Sequence, residues 1–307
     1  MRSRALPYAA IALAACAWGT WGLVIRRTDA IAPMPAALES ALVMAVITLV
    51  AGVAAVFDRT RKPASWRARA WVAWLGIGDA MNVLLFFAAY KLTIAVSVLA
   101  HYLTPVLVAA AAPLLLREPM TRRTTVAIAA SFVGLAVMLS PSIGADRSVS
   151  TWTSAALGAG SAVFYASNVV VNKFVVDEVT TSETMFWHGV VATPLLAALV
   201  PVAAWSAVDP RAAAFLCVCS VGPGALAGLA FVWGLRRVPA AHASTLTLLE
   251  PLVSIVLGAA LLGERLGGHA IAGGVLILSG SFAVMSSARA PSRAVTGDGS
   301  PTRSPRR

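Results

Sequence analysis

The sequence predicts an all-α integral membrane protein, with ten transmembrane helices arranged as two inverted five-helix repeats and both termini on the cytoplasmic side. Three observations lead there: an apolar composition, ten apolar runs of spanning length, and an internal repeat at a fixed offset. Of 307 residues, 59% are hydrophobic and 12% are charged, about half the roughly 25% charged share of soluble domains. Mean hydropathy is +0.80. These values exclude a soluble enzyme, a nucleic-acid binder and a disordered chain. The net charge of +11 would point to a nucleic-acid partner only if the basic residues covered a folded polar surface. Here they separate apolar runs of about twenty residues, the length that crosses a hydrocarbon core.

In chain order the runs are 6–25, 35–57, 71–90, 94–116, 124–140, 152–175, 184–202, 213–235, 241–262 and 269–285. The seventh is short and contains Pro194. Arg2 and Arg4 precede the first run as in a signal peptide, but that run is long enough to span and many more follow, so it reads as a retained helix. Trp18, Trp21, Trp71, Trp74, Trp152 and Trp205 fall near the ends of runs, where interfacial anchors are expected. Cys16, Cys217 and Cys219 lie inside apolar runs and read as small buried hydrophobes. Residues 287–307 are rich in Ser, Pro and Arg and read as a disordered cytoplasmic tail.

Loop charge orients the bundle. With both termini inside, the inner segments carry 18 of the 24 basic residues and the outer segments 6, as the positive-inside rule requires. The net charge then divides into +12 inside, +2 outside and −3 within the spans, the last from Glu39, Asp79 and Glu250.

A shift of 146 residues superimposes the two halves. Gly76-Ile-Gly78 falls on Gly222-Pro-Gly224, Pro105 on Pro251, Leu115-Leu116 on Leu261-Leu262, Glu118 on Glu264, Gly134 on Gly280, and Arg27 on Lys173. Residues 1–143 form the first repeat and 149–286 the second. Each holds five helices, an odd number, so the second enters the membrane from the opposite side. Inverted repeats of this kind suit alternating access.

The motifs Ala17-Trp18-Gly19-Thr20, Tyr102-Leu103-Thr104-Pro105, Leu116-Arg117-Glu118-Pro119, Leu249-Glu250-Pro251 and Leu262-Gly263-Glu264-Arg265 resemble those of the drug/metabolite transporter superfamily in its ten-helix form with two EamA-type repeats. The resemblance covers about residues 6–286. Within it the chain looks most like the YddG-type exporters of aromatic and other neutral amino acids, which also carry Tyr-x-x-Pro in the fourth helix. The Ala166-Ser167-Asn168 stretch departs from the Trp-rich sixth helix common there. The resemblance implies a secondary transporter or facilitator in the cell inner membrane that exports small metabolites, amino acids first among them. Drugs, nucleosides or sugar-linked metabolites are the alternative cargo, and an intramembrane enzyme or a structural membrane protein the alternative class.

Ionisable groups within spans are costly and mark functional sites. Asp79, Asn82 and Phe86 fall on one face of the third helix at spacings of three and four. They offer a carboxylate for an ammonium, an amide, and a ring for an apolar side chain. Pro105 frees the carbonyl of His101, so His101 and Tyr102 are cavity candidates. Pro251 frees that of Thr247 beside Glu250, a mid-span carboxylate suited to proton coupling. Asn168 completes the set of expected substrate-binding residues. Glu39 reads as a rim residue paired with Arg26 or Arg27, His188 as a further titratable group, and Tyr90, Tyr165, Trp187 and Trp233 as an aromatic lining. Glu118 and Glu264 read as helix-end ion pairs or caps beside Arg117, Arg122 and Arg265.

No Walker loop, zincin motif or Cys/His cluster occurs in the sequence, so neither catalysis nor a cofactor nor a metal is expected. The expected partners are a small-molecule substrate and the lipid bilayer, with no nucleic acid and a monomer as the functional unit. Proton coupling and simple facilitation both stay open.

Overall fold

A backbone in lipid has only itself to bond to, so apolar runs become helices. The computed structural model describes residues 5–58, 64–140, 148–262 and 267–287. The tail, Glu264 and Arg265 lie outside these, as do the predictions made for them. Nine of the described helices are long and apolar enough to cross a membrane: α1 (Ala5–Ile31), α2 (Ala36–Phe57), α3 (Trp66–Leu92), α4 (Ala95–Leu116), α5 (Arg122–Leu139), α6 (Val149–Phe174), α8 (Pro210–Leu235), α9 (Ala240–Leu261) and α10 (Gly268–Ser286). The remaining run is helix α7 (Thr181–Ala198), which is 18 residues long but less apolar, because it carries Glu183, His188 and several Thr. It packs against α2 and α3 as an integral member of the bundle.

Polar starts fix the helix ends. Ser65 accepts from Ala68 N at the start of α3, Thr121 from Thr124 N at α5, and Asp209 from Arg211 N and Ala212 N at α8. Thr180 and Glu183 form a reciprocal capping box at α7. Each such cap is worth about 1 kcal/mol.

The fourth helix of each half breaks at the matching place. In α4 helix Ile94–His101 gives way to Thr104–Ala111, and in α9 Ala240–Leu246 gives way to Leu249–Leu262. The cause is the proline just after each break, which cannot donate to the carbonyl four residues back. The Thr104 hydroxyl takes up the freed His101 carbonyl at 2.7 Å, and the Glu250 amide bonds the Thr247 carbonyl at 2.9 Å.

Lipid gives no hydrophobic drive between helices, so close approach of small residues decides the packing. The seam between α5 and α10 shows the repeat directly. A Cβ on Gly134 would meet the Gly273 carbonyl at 2.7 Å, and a Cβ on Gly280 would meet the Ala127 carbonyl at 2.6 Å. A shift of 146 carries Gly134 onto Gly280 and Ala127 onto Gly273, so the two contacts are images of each other. The bundle's periphery exposes large apolar side chains, among them Leu13, Leu49, Val126, Val163 and Phe282, as a lipid-facing surface must.

At the face carrying the basic loops, Arg117 ends α4 in the left-handed region (φ 56°). This turn aims Glu118 at the second half. Glu118 pairs with Lys173 at 3.2 Å and accepts the Ala240 amide at 2.6 Å. It therefore caps the start of α9, and its partner is Lys173 from the other repeat in place of the neighbouring arginines. Tyr8 also bonds His242 there at 2.8 Å, and His242 bonds Thr124 at 3.2 Å, tying α1, α9 and α5. At the opposite face Lys91 holds Asp29 at 3.3 Å, Glu39 at 3.2 Å and the Met34 carbonyl at 3.0 Å. Glu39 is fully buried, and its partner is Lys91, while Arg26 and Arg27 point outward. The first helix runs on to Ile31 with both arginines on its exposed side.

Candidate functional site

A cavity of about 170 Å³ lies between the halves, close to the size that holds a single benzene ring. Helices α1, α2, α3, α4, α6, α7, α8 and α9 all contribute to its wall. Its polar residues are Asp79, Asn82, His101, Asn168, Asn172, His188 and Glu250, and its rings are Trp18, Trp21, Phe86, Phe87, Tyr165 and Phe231. The lining residues include two carboxylates and no Lys or Arg.

Six of the seven residues expected from the sequence to bind substrate line this cavity: Asp79, Asn82, Phe86, His101, Asn168 and Glu250. Tyr102 does not. It sits at the break in α4 with its side chain turned into the bundle, 1% exposed. Its hydroxyl faces the Glu250 carboxylate without an aligned hydrogen bond. Tyr102 is therefore a neighbour of a site residue, placed behind the wall.

The aromatic expectation divides in the same way. Tyr165 lines the cavity, its ring stacked on His101 at 5.4 Å and 9°. Trp187 is 52% exposed, and Trp233 lies under the Arg237 guanidinium at 4.1 Å near the basic face. Tyr90 packs on Phe86 at 6.0 Å, outside the lining. Trp18 and Trp21, expected to be interfacial anchors, line the cavity instead. Trp18 packs on Phe231 at 5.0 Å and Trp21 on Phe87 at 6.1 Å. The reason is length: α1 extends to Ile31, which places both indoles well inside the bundle.

Hydrogen bonds hold the polar wall in place. Ser161 of α6 links His101 Nδ1 at 2.8 Å to the Asn82 side-chain carbonyl at 2.9 Å. That chain joins α4, α6 and α3 across both repeats. Asn168 presses its Oδ1 against Gly78, where no larger residue would fit. Asn172, one turn on, donates to the Asn168 carbonyl at 2.9 Å. The buried side-chain oxygens of Tyr102, Tyr165, Asn168 and Asn172 accept or donate no aligned hydrogen bond. Buried polar atoms are ordinarily paired, and three of these four belong to residues that line the cavity.

His188 and Asp79 form a pair that the sequence alone does not reveal. His188 Nε2 lies 3.2 Å from Asp79 Oδ2, and His188 Nδ1 lies 3.0 Å from the Thr184 carbonyl. Asn172 is a polar lining residue that the sequence analysis does not single out. Its position four residues after Asn168 was the available signal, since that spacing shares a helix face.

Spanning helices, two of them broken beside a cavity with polar lining, define a multi-pass membrane protein. The model of the EamA-like transporter family matches residues 5–140 and again 152–286, and the chain belongs to that family. It is 30% identical over 276 residues to "Protein PecM" of Dickeya dadantii (strain 3937), across 87% of this chain and 88% of that protein. A crystal structure of another protein, 20% identical, matches with a TM-score of 0.75 over 94% of this chain and 99% of its own. That last likeness is one of fold.

Proposed function

We propose that the chain exports small metabolites carrying an ammonium group beside an aromatic or apolar body, with aromatic amino acids among them, across the cell inner membrane by alternating access. The observation that carries this reading is the charge of the cavity wall: Asp79 and Glu250 among six aromatic rings, with no Lys or Arg among the lining residues. Carboxylates recognise an ammonium through charge-assisted hydrogen bonds, and ring faces attract a cation further. The volume suits a one-ring molecule. A substrate carboxylate would meet the amides of Asn82, Asn168 and Asn172 without a salt bridge.

That absence of a cationic partner favours a second reading, in which the cargo is an aromatic amine without a carboxylate, closer to a drug-type exporter. Counterflow in proteoliposomes with labelled phenylalanine, phenylethylamine and a nucleoside separates the readings. Exchange of phenylalanine supports amino-acid export, and exchange of phenylethylamine alone selects the amine reading. Exchange of the nucleoside alone overturns both.

A further inference from the structure

A second cavity, of about 550 Å³, opens at the basic face between the ends of α2, α7 and α8. No residue lines both it and the central cavity. Its wall has two parts. The deeper part is apolar: Leu229, Ala230 and Trp233 of α8. Leu226, Ala230, Trp233 and Arg237 follow one another at spacings of three and four, so they share one face of that helix. Leu226 and Arg237 are exposed at the two ends of this face, which places the cavity on the lipid-facing side of α8. The shallower part is polar: Arg236 and Arg237 just past α8, and Thr180, Thr181 and Ser182 at the start of α7. Arg236 donates through Nη2 to the Val176 carbonyl, while its Nη1 is buried and has no acceptor among the described residues. The amides of Thr181 and Ser182 are first-turn donors beyond the reach of the helix's own carbonyls. The Thr180 hydroxyl is already engaged: it accepts from the Glu183 amide at 3.2 Å and donates to Asp58 at 2.7 Å. Asp58 is the one carboxylate among the lining residues, so two arginines leave the wall positive.

We propose that this cavity binds the phosphate of an anionic phospholipid from the leaflet at the basic face. A buried guanidinium nitrogen without an acceptor needs an anion, since buried donors are ordinarily paired and arginine holds phosphate through charge-assisted bonds. The α7 N-terminus favours the same charge, and its free amides suit phosphate oxygens. Basic pockets between helices at this face are where anionic headgroups settle. The lipid source follows from the other half of the wall. Leu229 and Ala230 lie about two turns deeper than the arginines, where an acyl chain hangs below its headgroup, and the Trp233 indole stands between them at the level such rings prefer. A free phosphate would use the guanidinium and the amides and leave that apolar wall uncovered. A zwitterionic lipid would bring its own ammonium to two arginines. The proposal is independent of the cargo.

Native mass spectrometry of the full chain in detergent, titrated with phosphatidylglycerol or phosphatidylcholine of the same acyl chains, reads the site. Phosphatidylglycerol should bind about tenfold tighter or more. R236Q should weaken it by about ten- to a hundredfold, the loss of a charge-assisted hydrogen bond, and leave phosphatidylcholine unchanged. Arg236 also holds the Val176 carbonyl, so S182D tests the site without removing that tie. An acidic residue in a first turn stabilises its helix, so the melting temperature without lipid should hold or rise. Phosphatidylglycerol affinity should nevertheless fall by about tenfold, because the new charge repels the phosphate. D58N removes the lining carboxylate and should raise affinity about two- to fivefold. R122Q, on α5 and outside the lining, controls for diffuse attraction to the basic face and should change affinity less than about twofold. Equal affinity for the two lipids, phosphatidylglycerol binding indifferent to S182D, or a loss in R122Q as large as in R236Q overturns the proposal. Displacement of phosphatidylglycerol by inorganic phosphate or glycerol phosphate at the lipid's own concentration upholds a phosphate site and overturns its assignment to lipid.

Discussion

The third helix of each repeat carries a matching Gly-x-Gly, and the two are packed in opposite ways. In the first half, Gly76 and Gly78 lie within the unbroken α3. A Cβ on Gly76 would meet the His188 carbonyl and Val191 at 2.6 Å, and one on Gly78 would strike Asn168. In the second half, Gly222 and Gly224 lie in a π-helical turn, Val221–Leu226. Gly222 meets nothing within 4 Å, and Gly224 approaches only Ile47 at 3.3 Å and Trp21 at 3.6 Å. Pro223, between them, lacks the donor a regular helix needs. One repeat thus presents a tight seam to α6 and α7 where the other presents a loose seam to α1 and α2. Interfaces that hold two discrete packings carry switching transitions, and under the proposed alternating access the two seams would exchange.

Several substitutions probe that difference. The largest effect is expected at the chemistry. Glu250 stands where the first half has Thr104, so Glu250→Thr makes the two breaks alike. Losing a charged partner worth about 1.5–3 kcal/mol should slow counterflow by roughly ten- to a hundredfold, with circular dichroism unchanged. Gly76→Ala comes next. Its Cβ collides with backbone, and overpacking of that kind costs about 1–3 kcal/mol, read as a lower melting temperature together with reduced transport.

Gly222→Ala is the informative contrast. Its Cβ meets open space, and alanine favours helix over glycine by about 0.5–1 kcal/mol. The melting temperature should therefore hold or rise. If the two seams exchange during the cycle, counterflow nevertheless slows, because the added methyl obstructs the tight state of the second half. Unchanged counterflow in Gly222→Ala would show that the seams do not exchange.

The smallest effect is expected at the basic face. Glu178 accepts the Ser65 amide at 2.7 Å, and this bond holds its carboxyl below the usual carboxylate range. A lowered value in the folded state means the tether is intact above the ordinary carboxylate pKa and is lost as the pH falls through Glu178's own, lower one. Melting temperatures of the protein and of Glu178→Gln, compared between about pH 3 and 7, should differ slightly at neutral pH and converge in acid.

Legibility followed the kind of signal involved. Asp79, Asn82, His101, Asn168 and Glu250 stood out because a polar group in an apolar run is conspicuous in one dimension. Tyr102 shared that signal and still turned away from the cavity, since a residue at a helix break can face either side. Trp18 and Trp21 read as anchors because the first run seemed to end near Ile25. Arg26 and Arg27 mark a drop in hydropathy, yet the helix continues through them to Ile31. Asn172 stands out less, because it sits beside Lys173 near the end of its apolar run.

By itself the sequence determined the membrane, the helical runs, the offset of 146 residues and the breaks near Pro105 and Pro251. These depend on hydropathy and on a missing amide hydrogen, which are properties of the local chain. The tertiary structure alone decided the partners: Glu39 with Lys91, Glu118 with Lys173, and Asp79 with His188. A pairing between helices depends on how each is rotated about its axis and how deep each residue lies. Helices that are apolar on nearly every side encode little of that rotation. It is set by where glycine, alanine and serine let two backbones meet.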